Sequence, residues 1–145
     1  MKTYQHTQKA HAILFPVACM TVIFAVVAMV RFPLLFLGVA LLLFVAWLFH
    51  SLTIEIADGE LRWRFGPGWI RKRVPLNLIT AAEPVRTKVF EGWGIHFSRF
   101  GWLYNVSGFE AVAIRMKNGQ HFALGTDESQ ALLAAIRSAS DASPC

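Results

Sequence analysis

The sequence predicts a membrane-anchored α+β protein: a hairpin of two transmembrane helices, then a small antiparallel β barrel or sandwich with one C-terminal helix. Three observations lead there. Two long apolar runs stand back to back near the N-terminus, period-two alternation begins directly after them, and one stretch of helical periodicity follows the alternating part. The 145 residues are 55% apolar and 16% charged, with a mean hydropathy of +0.46. A soluble domain runs nearer about 45–50% apolar and about 25% charged. The length allows about one domain, and with roughly a third of it in lipid only one small globular unit remains. These proportions exclude a disordered chain, a disulfide scaffold and a multidomain enzyme.

Residues 1–11 read as an N-terminal tail and residues 12–50 as the helical hairpin. Ala12 to Val30 is 19 residues without a charge, Phe32 to Phe49 is another 18, and only Arg31 separates them. At about 1.5 Å per residue each run reaches roughly 27–28 Å, close to a hydrocarbon core of about 30 Å. Both runs are apolar all round, which a buried soluble hairpin would need a much larger protein to cover. A cleaved signal peptide has a shorter apolar region, about 7–15 residues. Pro33 suits the first turn of the second helix, where its missing N–H costs nothing. Lys2 and Lys9 precede the spans and Arg62, Arg64, Arg71, Lys72 and Arg73 follow them, against Arg31 alone in the turn. That bias predicts an inner-membrane, multi-pass protein with both termini cytoplasmic. Within the spans Thr21 is the only hydroxyl and Cys19 the only thiol, which argues against a channel or transporter acting alone. Gly38, with Ala18, Ala25, Ala28 and Ala46, allows close helix approach.

Residues 51–137 read as the β domain. Residues 51–145 hold all nine acids and 11 of the 14 basic residues, a net +2, so the pI of about 9.7 does not mark a nucleic-acid surface. Ile54 and Ile56 alternate with Thr53 and Glu55, and Asp58-Gly59 marks a turn. Leu61, Trp63 and Phe65 alternate with Arg62 and Arg64; after Gly66-Pro67-Gly68, Trp69 to Val74 reads as a third strand. Ala81 to Val85 predicts a strand interrupted at Pro84. Ile95 and Phe97 predict the next, and Gly101 to Val106 another. Val112, Ile114 and Met116 lead into Asn118-Gly119, which predicts a type I′ hairpin turn returning through Gln120 to Leu124. Thr126 or Asp127 is placed to cap a helix, with Gln130 as capping-box partner of Asp127. Leu132, Leu133 and Ile136 mark its apolar face, and residues 138–145 read as a flexible tail.

Roughly seven strands closed by one helix fit a small barrel or sandwich. The order Gly92-Trp93-Gly94-Ile95, Gly101 to Gly108, Val112 to Met116 with Asn118-Gly119, and Gly125-Thr126-Asp127 before a helix resembles the bacterial pleckstrin-homology-like domains of small membrane proteins. Val74-Pro75-Leu76 with Ile79 is similar to the strand end before their middle segment. The likeness covers roughly residues 52–137, and an N-terminal helical hairpin is usual among those proteins. It implies a pleckstrin-homology-like fold at the inner membrane face. It implies no catalytic residues and leaves the ligand open among lipid, peptide and assembly roles.

Two groups of residues are candidates for contact. Arg62, Arg64, Arg71, Lys72 and Arg73 form a basic cluster; strand parity puts Arg62 and Arg64 on one face, and if the Gly-Pro-Gly turn joins neighbouring strands, Arg71 and Arg73 fall beside them with Trp69. Like charges facing each other in a sheet are unfavourable, and the cytoplasmic leaflet offers an anionic partner worth about 1 kcal/mol per basic residue. The same charges also serve as the positive-inside signal on a solvated strand face. Trp93, Trp102 and Tyr104 form an aromatic segment suited to a partner protein or the headgroup region; the alternative for Trp93 and Trp102 is to fill the core. His6 and His11 are misplaced for one helical face, and His96 and His121 could sit on neighbouring strands, but without further ligands they make a poor metal site. No disulfide is expected between Cys19 and Cys145. Asn105-Val106-Ser107 is a formal glycosylation sequon. Ser98 with His96, or Ser107 with His121, can be imagined as nucleophile and base, but such short pairs are not evidence of catalysis. The expectation is a non-enzymatic membrane-anchored module, with no cofactor and no nucleic acid, contacting the bilayer, anionic phospholipid, a membrane protein or a second copy. The competing class is an accessory subunit of a larger membrane complex.

Overall fold

A computed structural model describes residues 2–32, 34–88, 91 and 93–141. The chain runs β1 (Lys2–Lys9), α1 (His11–Val30), α2 (Leu35–Leu48), β2 (Ser51–Ala57), β3 (Glu60–Phe65), β4 (Arg71–Pro75), a 3-10 turn (Leu76–Leu78), β5 (Ile79–Arg86), β6 (Gly94–Ser98), β7 (Gly101–Asn105), β8 (Glu110–Met116), β9 (His121–Gly125) and α3 (Ser129–Asp141). It is an α+β protein with two sheets and three helices among the described residues.

Residues 2–9, predicted as part of a tail, instead form β1, which pairs antiparallel with β2 from Lys9↔Ser51 back to Lys2↔Ala57. The Ala10 N–H then donates to the His50 carbonyl at 2.9 Å, carrying the ladder to the foot of the helices. The two helices are thus the loop of a β hairpin. The polar run Lys-Thr-Tyr-Gln-His-Thr-Gln-Lys carries no hydrophobic alternation, so its pairing rests on backbone bonds. Tyr4, His6 and Gln8 lie opposite Ile56, Ile54 and Leu52 on the core side.

In the helical hairpin, α1 has 20 residues and is long and apolar enough to cross a membrane, with hydropathy 2.7; α2 is shorter, with 14 residues. The 18 residues expected for the second helix shrink because the Leu35 N–H bonds to the Phe32 carbonyl and the Leu37 N–H to that of Leu34, a tighter opening turn. Pro33 lies outside the described residues. The Thr21 hydroxyl is satisfied within α1 by the Val17 carbonyl at 2.8 Å. A side chain on Gly38 would crowd the Phe24 ring at 3.3 Å, so glycine there allows the helices to meet closely. Outward-facing apolar side chains are bare: Met29 is 79% and Leu34 81% exposed.

The β domain is two sheets facing each other, ordered β1-β2-β3-β4 and β5-β8-β9-β7-β6. This corrects two expectations. The barrel is not closed, and β7 pairs parallel with β9, so the sheets are not purely antiparallel. Between them lies a core of Leu52, Ile54, Ile56, Leu61, Trp63 and Phe65 from the first sheet against Tyr104, Val112, Ile114, Phe122 and Leu124 from the second, with Leu132 and Ile136 of α3.

The type I′ conformation belongs to Asp58-Gly59, where both residues have positive φ (53° and 73°). At Asn118-Gly119 only Gly119 is left-handed, at 82°. Its N–H bonds to the Met116 carbonyl at 3.0 Å, so a type I turn followed by a glycine bulge joins β8 to β9. The last helix starts at Ser129, later than expected, because the Thr126 hydroxyl accepts from the Glu128 N–H and holds a turn before it. It continues to Asp141, into the predicted flexible tail; residues 142–145 lie outside the described residues.

Candidate functional site

The foot of α2 and the outer face of the first sheet meet at the β3–β4 turn. Gly66, at φ 42°, donates its N–H to the Ser51 carbonyl, and a Cβ there would lie 2.5 Å from the Leu48 carbonyl oxygen. Only glycine lets the turn tuck under the helix end. Trp69 consequently rests edge-on against Trp47, centroids 5.4 Å apart, and 6.0 Å from Phe44. Trp69 is 69% exposed.

From this aromatic cluster β4 leads away along a cationic face. Arg64 lies opposite Arg71 and Arg62 opposite Arg73. Phe65 N–H donates to the Ile70 carbonyl and Leu76 N–H to that of Gly59. Antiparallel alternation then makes the two arginine pairs non-hydrogen-bonded pairs, the ones with the closest side chains. Arg62 is partly neutralised, its Nε 2.9 Å from the Glu60 carboxylate and a second nitrogen 3.7 Å from Asp58. Arg73 reaches Glu60 at 3.9 Å. Arg64 and Arg71 have no ion-pair partner among the described residues, and they are the pair nearer the helices. Thr53, Glu55 and the arginines line a concavity of about 740 Å³.

Lys72 leaves this group. Parity turns it to the opposite face, where its Nζ lies 5.4 Å from the Tyr104 ring centroid. There a groove of about 700 Å³ runs between β4 and the second sheet. Its floor is aromatic: Trp63 stacks on Phe122 at 5.0 Å and meets Tyr104 at 5.3 Å. The Trp63 indole N–H is buried without an acceptor. Phe97 and Trp102 stand edge to face at the rim, 73% and 50% exposed.

The three aromatic candidates are therefore dispersed. Tyr104 is only 3% exposed: it is a core residue whose ring edge forms part of the groove floor. Trp102 is at the groove rim. Trp93 is 39% exposed, donating its indole N–H to the Gly108 carbonyl beside Phe109, so neither tryptophan fills the core; Trp63 does. Gly92 lies outside the described residues. Sequence reasoning missed Trp47 and Phe44, although aromatics at the end of an apolar run are an interface signal. It also missed Phe97 and Phe122, which only the sheet order brings to the groove.

The remaining candidates are occupied structurally. His96 on β6 and His121 on β9 are separated by β7. Among the described residues no three His, Cys, Asp or Glu side chains gather as metal ligands. The Ser98 hydroxyl donates to the Gly101 carbonyl and accepts from the Phe100 N–H. Asn105 is fully buried in the folded chain, donating to the Gly108 carbonyl and accepting from the Ser107 N–H, so its amide holds the turn. Gly125 makes this possible, since a Cβ there would sit 2.2 Å from the Asn105 side-chain oxygen. Comparison with family models, curated proteins and solved structures gave no match.

Proposed function

We propose that this chain is a non-enzymatic, membrane-anchored module. The helical hairpin inserts in the inner membrane and holds a pleckstrin-homology-like β domain against the cytoplasmic leaflet, where the arginines contact anionic lipid. One observation carries the reading: a bare apolar hairpin is clamped at both ends by the β1–β2 ladder, with Arg64 and Arg71 unpaired beside its foot. β4 begins two residues after Trp69, with Arg71 at its start and Arg73 farther along it. With Trp69 at headgroup level, the Arg64–Arg71 pair is nearer the leaflet than the Arg62–Arg73 pair, and screening weakens the farther pair more. The near pair carries most of the attraction, about 1 kcal/mol per residue. Tethering raises effective concentration, so contacts of this size suffice.

Two measurements test it. Full-length protein in its own membranes should stay in the pellet after an alkaline wash, and release into the supernatant overturns the anchor. A variant with an Asn-Gly turn replacing residues 11–49 preserves the β1–β2 pairing and removes the hairpin. It should float with anionic vesicles at low salt and detach as ionic strength rises past about 0.15 M. Replacing Arg62, Arg64, Arg71 and Arg73 by Gln should abolish flotation; unchanged flotation rejects the lipid contact. The exposed Phe97–Trp102 rim favours a second reading, an accessory subunit, which a partner co-purifying in mild detergent would support.

A further inference from the structure

We infer that β4 is a docking edge for an extended acidic partner segment, added as a fifth strand to the first sheet. This goes beyond lipid contact and does not depend on it. β4 is the terminal strand of its sheet. The bonds from Phe65 to Ile70 and from Leu76 to Gly59 fix the alternation, so Lys72 and Val74 bond to β3 while the amides and carbonyls of Arg71 and Arg73 point to the free edge. Pro75 comes next in the outward series and has no N–H, so the free edge ends there. An edge of arginines ending in proline repels a second copy of itself, which protects the protein from self-pairing. The same edge attracts a strand of opposite charge.

Side-chain parity specifies that strand. Residues opposite Arg71 and Arg73 would lie on the outer face, over the arginine rows, and acidic side chains suit them. Residues opposite Lys72 and Val74 would lie on the other face, over the groove of about 700 Å³ lined by Trp63, Phe97, Trp102, Tyr104 and Phe122. Among the described residues no acid lines that groove. The occupant is therefore a peptide segment of a partner protein in which acidic residues alternate with apolar or aromatic ones, held by backbone bonds and read by alternate side chains.

The test uses the full chain in neutral detergent, without anionic lipid, and a labelled peptide alternating glutamate with valine and phenylalanine. Binding should be read by fluorescence anisotropy. A peptide of the same composition with its glutamates in one block should bind at least about tenfold more weakly. In an antiparallel addition the glutamate amides face β4, so N-methylating those should abolish binding while N-methylating the apolar residues should preserve it. Trp102→Ala should weaken the alternating peptide and leave the blocked one unchanged. No binding, equal binding of the two peptides, or indifference to the methylation pattern overturns the proposal. Vesicle flotation of the hairpin-less variant is scored separately, so loss of one result leaves the other standing.

Discussion

The β1 and β4 sides of the domain differ in how the first sheet meets the rest of the molecule. At β1 the gap is bridged by side chains. The Tyr4 hydroxyl donates to Glu128 at 3.3 Å, His6 lies 2.6 Å from Asp127 and 3.2 Å from Glu128, and the Gln8 amide donates to the Ser107 carbonyl at 2.9 Å. At β4 the sheet ends in Arg71, which has no ion-pair partner among the described residues, and Arg73, which reaches only Glu60 of its own sheet at 3.9 Å; an open groove lies beside them, with Lys72 over Tyr104 as its cross-contact. The same two sheets are thus tied along one side and gapped along the other. Packing alone does not require the gap. Polar residues of β1 find hydrogen-bonding partners across the gap and make a seam, while Arg71 and Arg73 of β4 find none across it among the described residues.

The largest test of this contrast removes the tied side. Deleting residues 2–9 strips the ladder from β2 and uncovers Leu52, Ile54 and Ile56, each no more than 2% exposed. The loss should end cooperative thermal unfolding of the β domain in detergent, read by circular dichroism, since a whole ladder goes and part of the about 1.5–3 kcal/mol that full burial contributes per side chain goes with it. A variant that still melts sharply within a few degrees of the parent would show β1 to be an accessory strand.

That strand was the least legible part of the sequence. Ile54 to Phe65, Val112 to Met116 and Leu132 to Ile136 announce themselves by apolar periodicity, and each became the predicted element because its apolar side faces the one core. β1 buries Gln8 and half-buries Tyr4 and His6, and a single tyrosine among polar residues makes no apolar period, so residues 2–9 read as a tail. The cationic face was legible because parity and register are local: adjacent strands joined by one turn fix which arginines meet. The groove was not, since it depends on β7 lying beside β9 and on the two sheets failing to join, both consequences of long-range pairing. Trp63 read as an ordinary strand residue, and only the sheet order sets it on Phe122.

A smaller test cuts one tie. His6 joins β1 to the segment leading into α3 by a hydrogen bond to the Asp127 carboxylate at 2.6 Å, with Glu128 3.2 Å from its other ring nitrogen. Its carboxylate partners are largely exposed, which keeps the gain modest. His6→Ala should lower stability by about 1 kcal/mol at neutral pH in a denaturant titration, with the peptide and vesicle interactions of the β4 side unchanged. A change in either interaction would mean that the two sides are coupled.

Tyr4 gives the seam a pH signature. Burial, then the Glu128 carboxylate and the hydrogen bond to it, push the phenol up from its usual 10.0 to about 12. The folded state holds the proton more tightly than the unfolded chain does. This stabilisation is complete below pH 10 and is lost as pH rises from 10 toward 12. The stability difference between the parent and Tyr4→Phe should therefore be constant below pH 10 and shrink above it. A difference that grows with alkalinity contradicts the geometry at Glu128.

The smallest effect on stability falls on the β4 side, and its sign is what matters. Arg64 and Arg71 oppose each other in a non-hydrogen-bonded pair, neither with an ion-pair partner among the described residues, an arrangement that costs roughly a few tenths of a kcal/mol. Replacing both by Gln should raise the melting midpoint slightly while weakening vesicle flotation and peptide binding together. For His6, stability should fall while binding holds; for the arginine pair, binding should fall while stability holds or rises. Were the arginine variant to lose stability, the cations would belong to the fold itself, and the open edge would be a seam of another kind.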